Sequence, residues 1–132
     1  MKYLIDTHCF LWSLFSPGKL SQRVADVLND GRNTIHVSAV SFWEISIKHA
    51  IGKLTLKGVT PSQLPASARA ANYELLPLSP EEAALFHVLP IDKHRDPFDR
   101  MLAWQAIERA MTLLSRDGTL AQYSDQGLRI EW

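Results

Sequence analysis

Four acidic residues carry the chemistry this chain is able to do: Asp6, Glu44, Asp99 and Asp117. Each lies where a strand gives way to a loop or helix, or early in a helix. In a parallel sheet the strand C-termini and the following helix N-termini share one edge, so these groups can converge there. Several carboxylates within a few ångströms cannot all stay ionised unaided, because like charges raise one another's pKa. A divalent cation resolves the conflict. An all-oxygen donor set suits Mg²⁺ or Mn²⁺, whereas zinc favours His or Cys.

Taken singly, each acid has a structural alternative. Asp99 fits the N3 position of a helix capped by Asp96, favoured by the helix dipole. Glu44 stands three residues after Ser41 and completes an acceptable capping box. Asp117 precedes Gly118 and reads by itself as a turn aspartate. Asp6 is harder to reassign: it ends an apolar run, where an uncompensated carboxylate is costly. Together the four are more informative than any one.

The elements that must position them follow from the pattern. Tyr3-Leu4-Ile5 runs without alternation into Asp6, the signature of a short strand buried on both faces. His8–Leu14 reads as a helix, followed by a Ser16-Pro17-Gly18 turn. Ser21 is placed to cap a second helix whose apolar face is Val24, Val27 and Leu28, with Gly31 at C′. The β-branched run Thr34–Val37 predicts a second strand. A third helix is expected from about Ser41 to Ile51, then an irregular excursion over Lys53–Pro65 and a short helix at Ala66–Ala71. Tyr73–Leu78 predicts a third strand. Ser79-Pro80-Glu81-Glu82 combines cap, N1 proline and capping-box glutamate, opening a helix to about Val88. Asp96-Pro97-Phe98-Asp99 repeats that grammar. Thr112–Leu114 predicts a fourth strand and Leu128–Ile130 a short edge strand. Strands alternating with helices imply an α/β fold, a three-layer α/β/α sandwich with a mainly parallel central sheet.

Bulk properties narrow the function classes. At 132 residues the chain is long enough for one domain, residues 1–132, with a real core. Lys plus Arg and Asp plus Glu both number 14, so binding nucleic acid through bulk charge is disfavoured, while a local basic rim remains available. Arg95, Arg100 and Arg116 flank the acids, where a phosphate backbone needs neutralising. The single cysteine, Cys9, excludes an internal disulfide, fits a reducing cytoplasm, and reads as a buried small hydrophobe. His8 and His36 lack metal-type spacing. Trp12, Trp43 and Trp104 sit among apolar neighbours and read as core or interface. No signal peptide precedes Asp6 and no apolar run reaches membrane-spanning length, so a cytoplasmic protein without membrane contact is expected.

Four segments, Leu4–His8, Val37–Ile45, His94–Arg100 and Leu114–Asp117, resemble the PIN-domain ribonucleases in order and spacing. Within that family the chain is most similar to the VapC toxins of type II toxin–antitoxin pairs, with similarity reaching from the first strand to Trp132. The resemblance implies a Mg²⁺-dependent (or Mn²⁺-dependent) endoribonuclease leaving 5′-phosphate and 3′-hydroxyl ends. By position, Asp6, Glu44, Asp99 and Asp117 match the family's acidic quartet as catalytic and metal-binding residues. Asp96 is then either an extra acid or only the cap. Ser115 stands where threonine is common, which keeps the hydrogen-bond chemistry. Also implied are an RNA substrate, a homodimer, and a VapB-like antitoxin that covers the site and through which alone DNA is contacted.

Two competing readings come from the residues. A phosphatase with Asp6 as nucleophile wants a second aspartate two positions on, and His8 stands there. A catalytically inactive PIN-fold module that only binds RNA or protein is favoured by loss of an acid, and all four are present.

Overall fold

The computed structural model of the protein describes residues 1–91 and 96–132. A five-stranded, wholly parallel sheet is ordered β3-β2-β1-β4-β5, from β1 (Lys2–Ile5), β2 (Thr34–Ser38), β3 (Glu74–Leu76), β4 (Thr112–Leu114) and β5 (Arg129–Glu131). The unalternating first strand is central, pairing Ile5 with Val37 on one side and Leu114 on the other. Its residues are apolar on both faces because both faces are covered. Leu4 and Leu113 point into a core with Leu102, Ala103 and Ala106 of α6 (Pro97–Glu108). Tyr3, Ile5, Ile35 and Val37 point the other way, onto α1 (Thr7–Phe15), α2 (Gln22–Asn29) and α4 (Leu64–Ala70) through Phe10, Val24, Val27, Leu64 and Ala68. The three-layer α/β/α arrangement is the one expected.

Local chemistry sets the element ends. Ser21 Oγ accepts from Val24 N at 3.1 Å, the expected cap of α2. At α5 (Pro80–Leu85) the capping box forms in full: Ser79 Oγ accepts from Glu82 N at 3.1 Å and Glu82 Oε1 from Ser79 N at 3.0 Å. That helix tightens into a 3₁₀ turn over Phe86–Val88.

Other boundaries shift. The third helix, α3, spans Ala39–Ala50, two residues earlier than expected, because Ser38 at the end of β2 takes the cap and accepts from Val40 N at 3.0 Å. The Ser41–Glu44 capping box therefore does not form; both side chains are buried within the helix. The third strand is only three residues long, for Pro77 brings no N–H to extend the ladder. Pro65 sits inside the first turn of α4, where a missing N–H costs nothing. A 3₁₀ segment over Gly118–Gln126, unexpected from the sequence, fills the connection to β5 and ends at Gly127 in the left-handed region (φ 98°). Among the described residues, no helix is long and apolar enough to cross a membrane.

Candidate active site

Parallel strands deliver their C-terminal ends to one edge, and there the chain sets its acids. Asp6 follows β1, anchored by its own N–H to Leu114 O at 3.0 Å. Its carboxylate caps α1, Oδ1 accepting from Cys9 N at 2.8 Å. The side chain thus has a structural role that the sequence did not reveal. Burial pushes the Asp6 pKa up, against hydrogen bonds from Ser115 and Cys9 that favour the anion. Ser115, itself buried, also accepts from Asp117 N at 3.1 Å, so one hydroxyl ties Asp6 to Asp117. Cys9 is buried, and its thiol pKa is raised first by burial and then by the charge of Asp6, which leaves it the inert small hydrophobe expected.

Asp117 caps the 3₁₀ segment, accepting from Thr119 N at 3.0 Å and Thr119 Oγ1 at 2.6 Å. Asp96 caps α6, its Oδ1 accepting from Phe98 N at 2.9 Å and Asp99 N at 3.2 Å. Asp99 occupies the first turn of that helix. Asp6, Asp99 and Asp117, from three separate elements, line one open depression of about 300 Å³ together with His8, Trp12 and Arg116. Asp96 is not part of the lining.

Glu44 lies outside that lining too. It is 1% exposed, accepts from Thr7 Oγ1 at 2.6 Å, and forms an ion pair with Lys48 one turn on. Thr7 Oγ1 also lies 2.9 Å from Ser41 Oγ, closing a buried polar cluster of Thr7, Ser41 and Glu44. Burial lowers the Lys48 pKa, but the hydrogen bond and charge of Glu44, with the charges of Asp96 and Asp99, raise it on balance. The ammonium is paired with Glu44 and also feels the charges at the start of α6. The sequence reading placed Ser41 as a helix cap and gave Thr7 and Lys48 no part in the site. The i,i+4 spacing of Glu44 and Lys48 was the available signal.

The arginines divide. Arg116 is exposed and lines the depression. Arg100, expected at a phosphate, is instead 6% exposed: its guanidinium lies 4.6 Å over the Phe86 ring and donates from Nη2 to Leu89 O at 3.1 Å. A head group held in that way has no reach to a phosphate, so Arg100 is a structural cation. Arg95 lies outside the described residues. The tryptophans divide as well, for Trp104 is buried while Trp43 is 58% exposed against Phe98.

The three lining carboxylates offer oxygen donors to a hard cation. Among the described residues, no three His, Cys, Asp or Glu side chains form a ready-made metal cage. That donor set fits Mg²⁺, which keeps several of its waters and is bound through one or two carboxylates, better than an ion needing full protein ligation.

Known folds resemble this one over its whole length. VapBC2 from Rickettsia felis bound to a DNA fragment from their promoter matches with TM-score 0.65 at 18% identity, over 100% of this chain and 99% of that one. DNA-bound VapBC from Salmonella typhimurium gives 0.62 at 17%, over 99% and 97%. VapBC-5 from Mycobacterium tuberculosis, a member of the VapBC family of toxin–antitoxin systems, gives 0.59 at 18%, over 98% and 95%. Comparison with curated protein sequences returned no match. The family model described as PIN domain matches residues 3–126, which take in the sheet edge, α6 and all four acids. The chain belongs to the PIN domain family.

Proposed function

We propose that this protein is a metal-dependent endoribonuclease, the toxin of a type II toxin–antitoxin pair. The observation that carries the reading is the meeting of Asp6, Asp99 and Asp117 in one open depression at the C-terminal edge of a PIN-domain sheet. In this reading Asp6 and Asp99 hold Mg²⁺ (or Mn²⁺) directly and Asp117 holds it directly or through water. When bound, the ion supplies Lewis acidity and a lowered water pKa for attack on an RNA phosphodiester. Ser115 hydrogen-bonds the Asp6 carboxylate and accepts from the backbone N–H of Asp117, and Thr7 with Lys48 holds the buried Glu44. Glu44 thereby acts on the site through its neighbours, and Asp96 serves as the helix cap. Arg116, on the rim, is positioned to meet a substrate phosphate.

The similar solved structures are complexes of VapBC type, two of them with DNA. They support a VapB-like antitoxin as the silencing partner, with DNA reached through it, which accords with the zero net charge of this chain. The proposal includes a homodimer and a cytoplasmic site of action. The test is cleavage of RNA by protein freed of any partner. Cutting in Mg²⁺ or Mn²⁺ that stops in excess EDTA is expected; undiminished cutting in EDTA would rule out the metal mechanism.

A further inference from the structure

Beside the acidic depression lies a second cleft of about 340 Å³ between α1 and residues 54–57. The two share a wall, since His8 and Trp12 line both. Their rings lie 5.9 Å apart at 36°, and Trp132 meets Trp12 edge-on at 5.9 Å. Phe15, 41% exposed at the end of α1, continues the aromatic wall. The exposed Lys19 and Lys57 also line the cleft. An aromatic slot with cationic edges, sharing a wall with the acidic depression, is an arrangement that accepts a nucleotide: ring faces for the base and ammonium groups for the backbone.

We propose that this cleft is a subsite for one unpaired nucleobase of the RNA strand, next to the phosphodiester held at Asp6, Asp99 and Asp117. The proposal rests on the nuclease reading above and places an unpaired base in this cleft, because a base must leave its helical stack to enter the slot. Stacking tolerates any base, so the subsite selects for strandedness and register more than for sequence. An apolar protein segment would suit the aromatic wall but leave Lys19 and Lys57 without counter-charge.

The test is a scan of single-stranded oligoribonucleotides spanning a cleavage site mapped on bulk RNA, each lacking the base at one position. One abasic position beside the cut is expected to raise KM about tenfold, with the other positions within about twofold, an effect on the scale of a lost base–aromatic stack. Phe15→Ala is expected to raise KM on the complete oligonucleotide and erase that contrast; Phe15→Trp restores it. Thermal melts confirm that both variants fold. A flat scan with active wild-type protein overturns the subsite while leaving the nuclease intact. So does a Phe15→Ala scan unchanged from wild type, which would place the base contact outside this cleft. Wild-type protein that cuts no RNA defeats the nuclease reading and the subsite with it.

Discussion

At Asp6 a helix cap and a candidate metal ligand are the same carboxylate. Asparagine caps about as well as aspartate, so Asp6→Asn leaves the cap to Cys9 N largely intact while removing a buried charge. Because the folded-state pKa of Asp6 is raised, folding favours its protonated form. Its stabilising contribution is present below the unfolded-state value and is lost as pH rises through the folded-state value. In EDTA at neutral pH the variant should therefore melt at or above wild type. Added Mg²⁺ should raise the wild-type melting temperature by mass action and leave the variant unmoved. A metal-induced shift of equal size in both would remove Asp6 from the metal site. At Lys48, one turn from the buried Glu44, the ion pair carries the argument. Lys48→Met strands Glu44 in the interior. The cost should be about 2 kcal/mol by denaturant melts, below the ~3–5 kcal/mol of a fully buried pair because the ammonium is partly exposed. The double variant Lys48→Met, Glu44→Gln should recover most of it.

Among the elements, α5 and α6 are clamped by Glu82, whose carboxylate accepts from Arg109 Nε at 2.7 Å and Arg109 Nη2 at 2.8 Å. The Arg109 hydrogen bonds hold its pKa down to about 2 from an ordinary 4.5. A lowered carboxylate pKa contributes stability above the unfolded value and loses it as pH falls through the folded one. Glu82→Gln should thus cost roughly 2 kcal/mol at pH 7, discounted for the partly exposed guanidinium. The gap from wild type should close as pH is lowered from about 5 towards 2, read by urea melts across that range; a gap constant with pH would mean that packing, and not charge, holds the clamp. Much of this level was legible in the sequence. Ser79-Pro80-Glu81-Glu82 and Asp96-Pro97 name their own caps, and Tyr3-Leu4-Ile5 announces a strand covered on both faces. The start of α3 was not legible, because Ser38 and Ser41 are both chemically able to cap, and only the strand's exit decides between them. Arg100 misled for a related reason: a cation beside an acid looks like surface until Phe86 and Leu89 O are seen to enclose it.

For the whole molecule, the sheet order brings residues 6, 99 and 117 to one edge although the chain visits them far apart. Sequence position alone named the acids, but not which of them share a depression, for that depends on crossovers and on which side chains turn inward. Glu44 turned towards Thr7 and Lys48, and Asp96 towards the first turn of α6. The central claim is that the lining carboxylates perform the chemistry and the cap does not. Single-turnover RNA cleavage in Mg²⁺ by Asp99→Asn and Asp96→Asn, with thermal melts of both, tests it most directly. Asp99→Asn should lose at least about 100-fold in rate, the scale of removing one transition-state-stabilising group, with the melting temperature nearly unchanged. Asp96→Asn should keep near wild-type rates, since asparagine preserves the cap. Asp96→Asn melting normally yet as inactive as Asp99→Asn, or Asp99→Asn fully active, would contradict the account.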